Sequence, residues 1–120
     1  MKAALLAFSL CIFSISAHAE SNVETFLRDY DAASYPAKEY MAGHLSSIED
    51  GMSWANVALT EDRKEFPLYC VPRSLVLTGE QLIDVLRRHL ETNPYAAKSP
   101  FPLVLLVALQ EVFPCAPKSK

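Results

Sequence analysis

The sequence predicts an all-α fold, a small domain of four helices stapled by one disulfide. Three observations predict it. Beyond the first twenty residues, apolar side chains recur at steps of three and four, the spacing that lines them up on one face of a helix. Helix-start signatures precede these runs at Ser21–Glu24, Pro36, Thr78–Gln81 and Ser99–Pro100. Past Cys11 the cysteines are Cys70 and Cys115 only, placed before the third run and after the fourth.

Residues 1–19, MKAALLAFSLCIFSISAHA, carry the three parts of a secretory signal. Lys2 is the positive start, Ala3 to Ile15 is an uncharged apolar run, and Ala17-His18-Ala19 fits the small-x-small cleavage rule. A membrane anchor is the competing reading, but the run is shorter than the roughly 20 residues a spanning helix needs. A lipid-modified cysteine follows a small residue, and Leu10 precedes Cys11, so a lipoprotein is set aside. Cleavage after Ala19 leaves residues 20–120 as a single exported domain, able to bury roughly 60–68% of its unfolded surface. Loss of Lys2 moves the formal net charge from −3 to −4. An acidic chain with scattered basic residues is not built to bind nucleic acid. No second apolar run is long enough to span a membrane, so none is expected to be engaged after cleavage.

An oxidising compartment lets disulfides persist, and two cysteines allow one intramolecular bridge. The alternatives are free thiols, a metal pair or a catalytic cysteine. A metal is not expected, because His44 and His89 stand at spacings unlike a zinc pattern. A Cys70–Cys115 bridge is the favoured reading.

The elements follow in order. Ser21 and Glu24 read as a capping box for a first helix over 22–33, with Val23, Phe26, Leu27 and Tyr30 on one face; a frayed arm is the alternative. Pro36 suits the first turn of a second helix, whose apolar stripe is Met41, Leu45, Ile48, Met52, Ala55 and Leu59. Gly43, Ser47 and Gly51 share another stripe, which predicts either close approach of a second backbone or merely a kink at Gly51. Residues 60–77 read as loop, with an extended piece at 74–77. Thr78 and Gln81 form a second capping box ahead of Leu82, Ile83, Leu86 and Leu90, and Asn93-Pro94 stops that third helix. Arg87, Arg88 and His89 fall late in it, where positive charge suits the carbonyl end of the dipole. Leu103 to Leu109 are apolar without a break. Ser99-Pro100 as cap and first-turn proline, and Pro114 as terminator, make this a mostly buried helix over 100–113. The bridge would then clasp both ends of a helical hairpin.

The residues that chemistry needs are missing. With both cysteines in the bridge no thiol nucleophile remains, and the only imidazoles past the leader are His44 and His89. His44 reads as a partly buried structural side chain, and His89 as a helix-end residue. Gly43, Gly51 and Gly79 are too far apart for a phosphate loop. Glu49-Asp50 and Glu61-Asp62 read as the ordinary charge of exposed segments. No catalytic residue, cofactor or metal is expected.

Binding through a surface is left. Trp54 lies off the apolar stripe and is a candidate interface anchor, unless it packs on the first helix. Glu61, Asp62, Arg63 and Lys64 offer mixed charge on a link that is otherwise a solvated connection. Tyr95 and Lys98, in the turn "NPYAAK", have similar standing.

Three landmarks occur in order: "YMAGHLSSIEDG", then "YCVP" followed by "LTGEQLIDVLRRHLETNP", then "LVLLVALQEVFPC". Together, behind a leader and with Cys70 and Cys115, they resemble the Rap-type immunity domain associated with bacterial type VI secretion amidase effectors. The resemblance runs from Tyr40 to Cys115. It implies a small, helical, disulfide-bonded periplasmic protein that binds a peptidoglycan amidase effector and blocks its active-site groove, commonly as a homodimer. The Gly43–Ser47–Gly51 stripe would then serve a dimer contact or a tight internal crossing. A rival expectation is a periplasmic stress chaperone, or another non-catalytic envelope binding protein, with many clients in place of a single partner.

Overall fold

The computed structural model describes residues 21–116, and the expected leader lies outside them. Four α-helices run in the order α1 (Val23–Ala32), α2 (Tyr35–Val57), α3 (Gly79–Thr92) and α4 (Phe101–Val112). The described residues form no strand; one isolated antiparallel bridge joins Asn22 to Pro100. The domain is all-α, as the sequence predicts. Among the described residues no helix is long and apolar enough to cross a membrane.

Asn22, one residue later than expected, caps α1 by accepting the Thr25 amide on Oδ1 at 2.9 Å. Ser21 does not do so because its backbone is used elsewhere: its carbonyl accepts the Phe101 amide at 3.3 Å. The Val23 amide donates to the Ser99 carbonyl at 3.1 Å, so the starts of α1 and α4 are pinned together. Glu24 pairs with Lys98 in place of closing a capping box. Phe26 stacks on Phe101 with ring centroids 4.5 Å apart.

Helix α2 buries Ala42 and Leu45 and half-buries Met41, Ile48 and Met52, while Ala55 is exposed. The glycine stripe does not meet another backbone: a Cβ on Gly43 or Gly51 would touch nothing. The close approach occurs at Gly79, the first residue of α3, which sits against the backbone of Ala42. Helix α2 also runs further than expected, through a π-helical turn at Ala58–Asp62. Thr60 Oγ1 donates to the Asn56 carbonyl at 2.9 Å, and a hydroxyl bonded one turn back loosens the regular ladder. The end is closed by Lys64 at φ 58 and by the Glu65 amide donating to the Leu59 carbonyl at 2.8 Å. That is the helix-stop geometry usually held by glycine.

Residues 75–77 lie in the expected loop and form no strand, and a turn takes in Arg73 and Ser74, with the Leu75 amide donating to the Pro72 carbonyl at 2.9 Å. The Thr78–Gln81 capping box is present in full. Asn93 ends α3, and a 3-10 turn (Pro94–Lys98) leads to α4. Pro100 is the cap of α4 and Pro102 lies in its first turn, each a step or two beyond the expected Ser99 and Pro100. One side of α4 is open rather than mostly buried, since Leu103, Val107 and Val112 are exposed.

The largest fully buried side chains are Val23, Leu45, Leu82, Leu86, Leu105 and Leu109, so every helix contributes to one core. Each such burial stabilises by roughly 1.5–3 kcal/mol. Cys70 and Cys115 are bonded, with Cα atoms 5.0 Å apart. The Cys70 amide also donates to the Phe113 carbonyl at 2.8 Å, so the segment before α3 is tied to the end of α4. The ring of His89 is buried and its Nδ1 lies 2.8 Å from Glu111 Oε2. This histidine therefore links α3 to α4 rather than simply facing the helix end. His44 is exposed, its ring edge-on to Phe101 at 6.0 Å between centroids.

Candidate functional site

The buried stripe of α2 turns polar halfway along. Ala42 and Leu45 are followed at helical steps by Glu49, Ser53 and Asn56. These polar residues face the segment 67–77, which the disulfide at Cys70 ties to the residues after α4.

Asn56 fastens that segment. Its Oδ1 accepts the Leu68 amide at 2.6 Å, and its Nδ2 donates to the Tyr69 carbonyl at 3.1 Å. Tyr69 is thereby buried under α2, where its hydroxyl donates to Glu49 Oε1 at 2.8 Å. Ser53 Oγ donates to the same oxygen at 2.9 Å. Burial, and then the hydrogen bond to Glu49, push the Tyr69 phenol well above the usual tyrosine range. Glu49 is only 8% exposed. The Glu49-Asp50 pair is thus not uniformly surface charge: Asp50 is exposed, whereas Glu49 is held inside by two hydroxyls.

Above this triad lies a groove with two compartments. The first, of about 300 Å³, is bordered by Glu49, Asp50, Pro72, Leu75, Val76 and Leu77. The second, of about 420 Å³, is bordered by Asn56, Val57, Thr60, Glu61, Pro67 and Tyr69. Ser53, Val71 and Arg73 line both, so the compartments adjoin along α2.

The residues singled out from the sequence divide between this groove and another place. Trp54 is 73% exposed, so it does not pack on α1. It neighbours the groove residue Ser53 in sequence. Glu61 lines the second compartment, and Asp62, Arg63 and Lys64 are exposed just beyond it. Tyr95 belongs to a separate cavity of about 180 Å³ beside His89, Leu103, Val107 and Glu111. Its hydroxyl donates to Asn93 Oδ1 at 3.0 Å. Lys98 is engaged with Glu24. Trp54 and the 61–64 segment therefore share one end of α2, apart from Tyr95 and Lys98.

Glu49, Tyr69, Asn56 and Arg73 were not among the sequence candidates. The available signal was the heptad-like continuation of the α2 stripe into Glu49, Ser53 and Asn56. Polar residues at buried positions have to find partners, and here the 67–77 segment supplies them.

Such an arrangement offers a contoured surface, not a reaction centre. Among the described residues no group of histidine, cysteine, aspartate and glutamate could hold a metal ion, and both cysteines are in the bridge. A family model described as Rap1a immunity proteins matches residues 9–115. No curated protein and no solved structure gives a significant match. The matched span contains all four helices and ends at Cys115, the second half of the clasp. This bridged helical domain, matched along nearly its whole length, belongs to the Rap1a immunity protein family and is not an enzyme.

Proposed function

We propose that this protein is a periplasmic immunity protein that binds a peptidoglycan amidase effector of type VI secretion and blocks its active site. The family match over residues 9–115 carries this reading. The leader-like residues 1–19 and the Cys70–Cys115 bridge support export, because a disulfide persists in an oxidising compartment.

The test is affinity capture from periplasmic extract under non-reducing conditions, followed by assay of the captured protein on peptidoglycan. The expected result is one tightly bound amidase whose hydrolysis stops at an equimolar ratio. Recovery of the protein in the cytoplasm, or of many weakly held clients and no amidase, would overturn the proposal; the second outcome is that of a chaperone. Light scattering on the same sample tests the homodimer that belongs to this reading.

A further inference from the structure

We propose that the groove between α2 and segment 67–77 is the effector-docking surface, and that Glu49 is the floor of a socket for a lysine or arginine side chain of the effector. This deepens the function proposed above and rests on it.

The carboxylate carries the argument. Glu49 is 8% exposed and lines the first compartment. Both of its hydrogen bonds, from Tyr69 and Ser53, fall on Oε1. Oε2 accepts none from any described residue, yet no buried side-chain oxygen is left without a partner. Oε2 therefore keeps some exposure, and the residue that carries it lines the first compartment. No ion pair among the described residues involves Glu49. A buried carboxylate without a cation is costly, because hydroxyl donors replace only part of its hydration. A cation arriving with a partner would offset that cost.

The surroundings select the kind of cation. Glu49, Asp50 and Glu61 face the groove against Arg73 alone, which leaves an excess of negative charge. Its edges are apolar: Val76 is 84% exposed, and Leu75 and Val57 are also exposed. A free ion would gain nothing from this rim, whereas a basic side chain carried on a protein surface gains both parts. Interfaces place such an anchor in a desolvated pocket ringed by contacts that exclude water. The first compartment, about 300 Å³, lies at the bottom of the roughly 300–1,000 Å³ range of small-molecule sites, which suits one side chain.

Two measurements test the socket separately from the function. In the first, the full chain labelled with ¹⁵N is titrated with N-acetyl-arginine methylamide, N-acetyl-lysine methylamide and uncharged N-acetyl-norleucine methylamide. The cationic probes should shift the amides of Ser53, Val71 and residues 73–77, and norleucine should not. Glu49→Gln should abolish the response and Asp29→Asn, on α1 and outside the groove, should keep it. Equal responses to all three probes, or an undiminished response in Glu49→Gln, overturn the socket.

In the second, the amidase captured above is titrated with the protein. Glu49→Gln should weaken binding at least tenfold, with thermal unfolding close to that of the unsubstituted protein, since glutamine keeps an acceptor for Tyr69 and Ser53. Arg28→Ala, exposed on α1 and outside the groove, should bind within twofold of the unsubstituted protein. Normal binding by Glu49→Gln sinks the socket and leaves the function standing. If no amidase binds the unsubstituted protein, the functional reading fails, and the first measurement decides the socket by itself.

Discussion

Gly79 begins α3 directly against the backbone of Ala42 in α2: a Cβ built on Gly79 would lie 2.2 Å from the Ala42 carbonyl oxygen. That oxygen belongs to a helical backbone and cannot swing aside, so α2 and α3 meet at a distance only glycine permits. Gly79→Ala is expected to destabilise the domain by about 1–3 kcal/mol, the usual cost of overpacking. Gly43→Ala and Gly51→Ala face open space inside a helix and are expected to add up to about 1 kcal/mol each. Urea unfolding of the three variants checks the contrast, and a stabilised Gly79→Ala would contradict the close packing.

Asn56 is the fastening between α2 and the groove wall. Asn56→Ala leaves the Leu68 amide and the Tyr69 carbonyl without their partner, a loss expected to cost about 1–3 kcal/mol. Hydrogen exchange should accelerate at Leu68 far more than at Leu86 in the core.

The Cys70–Cys115 bridge spans a sequence separation of 45 residues. In the chain-entropy model its removal costs roughly 4 kcal/mol, which is a large share of the stability of a domain this size. The doubly substituted Cys70→Ala, Cys115→Ala protein should show a markedly lower unfolding midpoint, and dithiothreitol should lower the midpoint of the unsubstituted protein by a similar amount. An unchanged midpoint would mean that the helices hold the hairpin without the bridge.

Asp31 on α1 pairs with Arg87 on α3. The hydrogen bond from Arg87 holds the Asp31 carboxyl below the usual aspartate range. A depressed carboxylate contributes stability that is present above its unfolded value and is lost as pH falls through the folded one. Asp31 is largely exposed and Arg87 half-buried, so solvent screens the pair and Asp31→Asn should cost at most about 1 kcal/mol at neutral pH. The difference from the unsubstituted protein should vanish in acid, as read by thermal unfolding over pH 2–7.

Tyr69 has the opposite sign. Burial and the Glu49 hydrogen bond raise its phenol, so its contribution is present below the unfolded tyrosine value of about 10. That contribution is lost as pH rises through the folded value. The unsubstituted protein should lose stability in alkali more steeply than Tyr69→Phe does. Parallel curves for the two proteins would show that the phenol ionises freely in the folded state.

Much of the fold was legible because short-range signals write it. Thr78 and Gln81 are three residues apart and cap α3 as expected. The stops at Asn93-Pro94 and Pro114 act through one or two neighbouring residues. Ser21 lost the α1 cap to Asn22 because its carbonyl is needed by Phe101, far away in sequence. The candidate site was legible only in part. Trp54 and Glu61 were visible as residue types suited to contact, whereas Glu49 looked like one more surface acid. Its burial depends on Tyr69, 20 residues further on, being folded back beneath α2.

From the sequence by itself came the four helices, their order and the partner of each cysteine, since helical periodicity, caps and a single available pairing are local or combinatorial facts. Only the tertiary structure decided which glycine touches a backbone, which acid is shielded from water and which surface is hollow. Those depend on how chain segments far apart in sequence are brought into contact, and the spacing of residues along one helix says nothing about what will lie across from it.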